Sequence, residues 1–309
     1  MISMIAFKPS NPLQVTDNTS IHFFSSTQTS TQTSTQTSTQ TTTQTTTQSS
    51  TNYNYPIVVL HGLESSSEKL IPLCEWIKER FNKIVINIEI GNGEKTSLDT
   101  PMPEQLNELC NTIYSNKVLE NGFDFIGISQ GGLLARGYTE QCNEYPVHNL
   151  ITLVSPHGGI YFKNAINNGN FYTNFYQSHL SVMNYWRNPI LYETYLEKCI
   201  YLPYINNEKP HDYSIRNRNN IINLSNFVMV WSKNDKVLAP PESGMFSLYD
   251  EHCNSIPLKE TALYRNDYLG LKKLNEKSGL HIYETNCSHV DHRNPSCFDQ
   301  LYPILNQFI

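Results

Sequence analysis

From residue 55 onward, short runs of apolar side chains alternate with amphipathic stretches. Pro56-Ile57-Val58-Val59-Leu60 and Lys83-Ile84-Val85-Ile86-Asn87-Ile88 read as strands. Phe123-Asp124-Phe125-Ile126, Asn149-Leu150-Ile151-Thr152-Leu153-Val154, Asn226-Phe227-Val228-Met229-Val230-Trp231 and Leu280-His281-Ile282-Tyr283-Glu284-Thr285 continue the series. Between them the spacing predicts helices over Lys69–Phe81, Pro103–Leu119 and Gly132–Tyr138, and an amphipathic helix from about Cys297 to Phe308 closes the chain. Pro103–Leu119 carries Leu106, Leu109, Ile113 and Tyr114 at helical spacing, with Pro103 suited to a first turn. Apolar strands alternating with helices mean a mostly parallel central sheet with helices on both faces, an α/β fold.

The pattern changes between Ser155 and Ser225, a stretch rich in Tyr and Asn with no core strand. An insertion of about residues 160–225 is expected over the carboxyl ends of the strands, where open α/β sheets bind ligands. Its Phe171, Tyr172, Phe175, Tyr176, Tyr185 and Trp186 either line an apolar channel or pack the insertion onto the sheet. At the other end, every residue from Ser25 to Thr51 is Ser, Thr or Gln. Such a tract buries nothing that offsets its ordering entropy, so residues 1–52 are expected to be a disordered extension and 53–309 one domain. The net charge of −6, without a Lys/Arg cluster, argues against a nucleic-acid partner. No apolar run approaches the roughly 20 residues of a transmembrane helix, and no signal peptide is evident. Seven dispersed cysteines without a CxxC pair argue against a disulfide scaffold and a zinc site; no metal or other cofactor is expected.

The chemistry centres on Gly127-Ile128-Ser129-Gln130-Gly131, between an apolar strand and a helix. This is the setting of an α/β-hydrolase nucleophile, a serine on a strained strand-to-helix turn. Side chains at positions 127 and 131 would collide with neighbouring elements. The acid and base of such a site follow in the order Asp, then His, each on a loop after a strand. Asp235 lies four residues past Trp231, and His289 four residues past Thr285. His292 is the rival base, with Asp291 near enough to orient it; Asp250 and Asp267 fall far from strand ends. Backbone N–H donors for an oxyanion are expected from Gln130, at the helix start, and from Leu63 in His61-Gly62-Leu63 after the first strand. His61 is expected to serve as a structural hydrogen-bonding residue.

These motifs resemble those of palmitoyl-protein thioesterases over most of residues 55–309. The resemblance is carried by His61-Gly62, Gly127-Ile128-Ser129-Gln130-Gly131-Gly132, Tyr185-Trp186-Arg187-Asn188-Pro189, Asn234-Asp235, Asp267-Tyr268-Leu269-Gly270-Leu271 and Ser288-His289. It implies an α/β-hydrolase that removes palmitate or similar long acyl groups from cysteine thioesters in proteins or peptides. The implied triad is Ser129, Asp235 and His289, with oxyanion donors Leu63 and Gln130, and the implied compartment is the lysosome. Cys110 and Cys142 match a disulfide position of the family. Cysteines bridging other loops of the family are missing from Leu63–Leu70 and Ile160–Asn170. Asn18, Asn223 and Asn286 begin Asn-x-Ser/Thr sequons. A lipid or oxygen-ester esterase would use the same residues, and an inactive acyl-binding fold would not need all three of the triad.

Overall fold

Strand β1 (Ile57–Leu60) has four apolar side chains and all four are fully buried, which requires cover on both faces of the sheet. The computed structural model supplies it; it describes residues 54–163 and 168–309, so the Ser/Thr/Gln tract lies outside the described residues. β1 pairs with β2 (Val85–Ile88) on one side and β3 (Phe123–Ile128) on the other. β4 (Val147–Leu153) and β5 (Asn226–Ser232) follow, then a two-stranded ribbon of β6 (Leu248–Tyr249) and β7 (Ser255–Ile256), and last β8 (Leu280–Thr285). The central sheet runs β2-β1-β3-β4-β5-β8 and every pairing in it is parallel.

Alternate side chains feed two separate cores. Val58, Leu60, Phe125, Leu150, Phe227 and Met229 belong to one, with Leu106, Leu109 and Ile113 of the helix Met102–Ser115 and Leu133, Leu134 and Tyr138 of Gln130–Gln141. Ile57, Val59, Ile126, Ile151, Val228 and Val230 belong to the other, with Leu73 and Ile77 of Ile71–Phe81 and Leu301 and Leu305 of Pro295–Leu305. Each such buried side chain is worth about 1.5–3 kcal/mol. The chain moves outward from β1 to β2, then crosses back to β3. Strand order therefore reverses between β1 and β3, and the crevice beyond their carboxyl ends is where such sheets bind ligands.

Differences from the expected elements are local. The helix starting near Pro103 stops at Ser115, because Asn116 turns extended and its Oδ1 accepts the Val118 N–H at 3.2 Å, opening a short 3-10 turn. The insertion is shorter than expected. Ser214–Ile222 lies along Gln130–Gln141, with Asn220 Nδ2 donating to Glu140 O at 2.9 Å, and leads into β5 as part of the sheet's covering layer. Short helices at Asn174–His179, Tyr192–Lys198 and Leu202–Ile205 make up the rest. Fully buried Arg136 anchors their end, donating to Ile205 O and Asn206 Oδ1, each at 2.8 Å, and pairing with Glu140 at 3.0 Å. Tyr172, Tyr185 and Trp186 are buried packing residues of the insertion, and only Phe175 of the six expected aromatics is largely exposed.

Two disulfides are present, Cys110–Cys142 and Cys287–Cys297, where the sequence offered only the first. The second ties the loop after β8 to the last helix and encloses His289. Peptide mapping of unreduced protein from an oxidising compartment should recover both bridges, with Cys74, Cys199 and Cys253 as thiols. From sequence separations of 32 and 10, loop-closure entropy gives about 3.7 and about 2.7 kcal/mol, so removing either pair should lower Tm. Any other pairing, or an unchanged Tm, would contradict this.

Candidate active site

Ser129 follows β3 directly, at φ 54° and ψ −126°, a conformation that costs a non-glycine residue about 1–3 kcal/mol. Surrounding bonds impose it. The Ser129 N–H donates to Leu153 O at 2.8 Å, and Ser129 O accepts the Gly132 N–H at 2.9 Å. The flanking glycines are required by close approach. A Cβ on Gly127 would stand 2.5 Å from Gly132 Cα, and one on Gly131 would run into the backbone of Leu60 and His61. The serine side chain remains half-buried.

Gln130 is buried, and its side chain is committed. Nε2 donates to Ser97 O at 2.8 Å, and Oε1 accepts from Ser181 Oγ and Tyr185 OH, each at 3.0 Å. Its backbone N–H opens the helix and so has no intrahelical acceptor. The β1 loop comes close on the other side: a Cβ on Gly62 would lie 2.9 Å from Ser129 Cβ and 3.4 Å from Gln130 N. The structure therefore sets His61-Gly62-Leu63 beside Ser129 and Gln130.

Asp235 and His289 meet directly, with Oδ2 and Nδ1 2.6 Å apart. The other carboxylate oxygen accepts the Val237 N–H at 2.7 Å and the Leu238 N–H at 3.0 Å. Burial alone would raise the Asp235 pKa; the His289 bond and charge, with the two N–H donors, outweigh it and hold the carboxyl below its ordinary range. Their loops are tied together by Ser232 Oγ donating to Cys287 O at 2.6 Å and Asn234 Nδ2 to Asn286 O at 2.9 Å.

His292 plays a different part. It is fully buried, with Nε2 2.8 Å from Thr285 Oγ1 and Nδ1 2.9 Å from Ser288 O, so both ring nitrogens brace the loop carrying His289. Burial holds this imidazole below its ordinary pKa. Asp291 does not orient it; its Oδ2 accepts the Ser288 N–H at 3.3 Å in a capping box and also the Ser288 hydroxyl at 2.6 Å. Asp250 closes the β6–β7 turn and Asp267 pairs with Arg218. Cys287, His292 and Cys297 cluster closely enough for a metal, but the two sulfurs are bonded to each other.

Sequence reasoning missed the Ser181 and Tyr185 contacts to Gln130, the Cys287–Cys297 bridge, and Arg293 Nη1 donating to Ser65 Oγ at 2.9 Å. The hydrogen bonds join residues 51, 55 and 228 positions apart, beyond any local signal.

A parallel sheet with a serine on a strand–helix elbow at its switch point, and an Asp–His pair at later strand ends, defines the α/β-hydrolase class. A monoacylglycerol lipase from Paleococcus ferrophilus shares the fold, with TM-score 0.50 and 14% identity over 82% of this chain and 95% of the lipase. The protein belongs to the palmitoyl protein thioesterase family, whose model matches residues 56–289, and so is a thioester hydrolase. Palmitoyl-protein thioesterase 3 of Dictyostelium discoideum is 37% identical over 251 residues, covering 77% of this chain and 86% of that protein. Lysosomal thioesterase PPT2-B of Xenopus laevis is 31% identical over 245 residues, covering 74% and 83%.

Proposed function

We propose that the protein hydrolyses long-chain fatty acyl thioesters of cysteine, such as palmitoyl-cysteine in proteins or peptides, through an acyl-enzyme on Ser129. The observation that carries this is the 2.6 Å Asp235–His289 pair at the sheet edge where the Ser129 elbow stands. Asp235 fixes the imidazole with its proton on Nδ1, leaving Nε2 as the base. Nε2 takes the Ser129 Oγ proton as the oxygen attacks the thioester carbonyl. The Leu63 and Gln130 N–H groups stabilise the oxyanion, and one such donor is typically worth about 10²–10³ in kcat. Collapse breaks the C–S bond and His289 returns the proton to the departing cysteine sulfur. Water, deprotonated by His289, then attacks the acyl-enzyme, releasing the fatty acid and restoring Ser129.

Family membership and the names of the relatives support the acyl thioester as substrate. Phe175, Ile190, Leu191 and Ile200 of the insertion present apolar surface for an acyl chain. Two disulfides suit an oxidising compartment, consistent with relatives named as lysosomal. Among the described residues no helix is long and apolar enough to cross a membrane.

Purified protein should be assayed on S-acyl cysteine peptides of increasing chain length beside matched oxygen esters. Each methylene buried adds about 0.8 kcal/mol, and kcat/KM should rise steeply until the binding surface is filled. A flat dependence on chain length, or a preference for the oxygen esters, would overturn the reading.

A further inference from the structure

His61 is buried, and its Nδ1 lies 3.0 Å from the carbonyl oxygen of Gly62. A carbonyl oxygen only accepts, so the contact requires a proton on Nδ1. The sole cis peptide among the described residues is Ala239–Pro240, so the Gly62–Leu63 peptide is trans. Its C=O and N–H therefore point in opposite directions from one rigid plane. Whatever fixes the Gly62 carbonyl also fixes the Leu63 N–H.

Gly62 makes such a restraint necessary. A Cβ there would lie 2.8 Å from Ile128 O and 2.9 Å from Ser129 Cβ, so space demands glycine. Glycine also turns freely, leaving the following peptide able to rotate unless it is held. The far end of the loop is held by β2 and the residue after it: Asn87 Nδ2 donates to Ser67 O at 2.7 Å, and Glu89 accepts the Ser67 N–H. Near the site, the hydrogen bond to the Gly62–Leu63 peptide comes from His61. Its Nε2 has no hydrogen-bond partner among the described residues, and Glu89 Oε2 at 3.9 Å is out of range. Burial holds the ring below its ordinary pKa, and both the neutral Nδ1–H form and the cation keep the required proton.

Building on the proposed serine mechanism, we propose that His61 is a positioning residue that aims the Leu63 N–H at the oxyanion by pinning the Gly62 carbonyl. It touches no substrate. Its removal should raise the barrier to the tetrahedral state and leave substrate binding nearly unchanged.

The test compares His61→Ala and His61→Asn with the full-length wild type, using palmitoyl-cysteine peptide and a long-chain trifluoromethyl ketone that forms an anionic serine adduct. His61→Ala should lower kcat about 10- to 100-fold with KM within about threefold, and weaken the ketone by the same factor as kcat. His61→Asn carries an amide N–H near the Nδ1 position and should recover most of the loss. A kcat within about threefold of wild type, a loss carried by KM, or an Asn variant no better than Ala would overturn the proposal. If circular dichroism shows His61→Ala unfolded, His61→Asn decides alone: kcat within about tenfold of wild type supports the pin, and a larger loss refutes it. Labelling of wild-type Ser129 by a fluorophosphonate probes the nucleophile separately. Without that label the serine mechanism fails, whatever the His61 variants do.

Discussion

Ser129→Ala is expected to lower kcat/KM by about 10⁴-fold or more, because the acyl acceptor itself is lost. The fold should remain. Among the described residues the Ser129 side chain makes no hydrogen bond that supports the elbow; the bonds to Leu153 O and from Gly132 N–H are backbone bonds that alanine keeps. Alanine bears the same left-handed φ of 54° at similar cost. Hydrolysis of palmitoyl-cysteine peptide, alongside thermal melting by circular dichroism, checks both halves. More than a few per cent residual activity in a normally melting variant would end the nucleophile assignment.

His289→Ala should be comparably severe, and His292→Ala should affect stability more than rate. Removing His289 takes away the base and strands Asp235, whose carboxylate is buried. Removing His292 leaves Thr285 Oγ1 and Ser288 O without their buried partners, which costs about 1–3 kcal/mol. Per folded molecule, kcat/KM of His292→Ala should stay within about tenfold of wild type. The two effects are also separable by pH. His292 has a lowered folded-state pKa, mainly from burial, and in the unfolded chain it titrates near 6.5. Acid therefore favours the unfolded chain. The stability from neutral His292 is complete above about pH 6.5 and is lost as pH falls toward the folded-state value. In urea melts the gap between wild type and His292→Ala should narrow from about pH 7.5 to about pH 5. A gap that widens, or a His292 variant as inactive as His289→Ala, would reverse the two roles.

Much of this molecule follows from local sequence. The apolar runs of the inner strands are legible because a strand covered on both faces must be apolar throughout, as Ile57–Leu60 shows, while the edge strands Val85–Ile88 and Leu280–Thr285 are only partly buried and carry polar residues. Gly127 and Gly131 mark the elbow because strand, loop and helix come too close there for a Cβ. Asp235 and His289 could be named from their distance past strand ends, since parallel strands bring successive carboxyl-end loops to one edge.

Only the folded chain decides the rest. His289 and His292 are three residues apart in one loop, and distance past the strand end favours His289 without fixing what either ring touches. Contact does: one ring meets a carboxylate 54 positions away, and the other is sealed between Thr285 and Ser288. The aromatics at Tyr172, Tyr185 and Trp186 fit a channel or a core equally well by composition, and packing makes them core. The Cys287–Cys297 bridge was invisible for a similar reason, since pairing depends on how the last helix docks beside β8. Sequence by itself determined which elements form and which residues crowd the strand ends, because those are questions of periodicity and local sterics. Tertiary structure decided which neighbours each of those residues meets, because hydrogen bonds and disulfides form between atoms that only the packed sheet brings within a few ångströms.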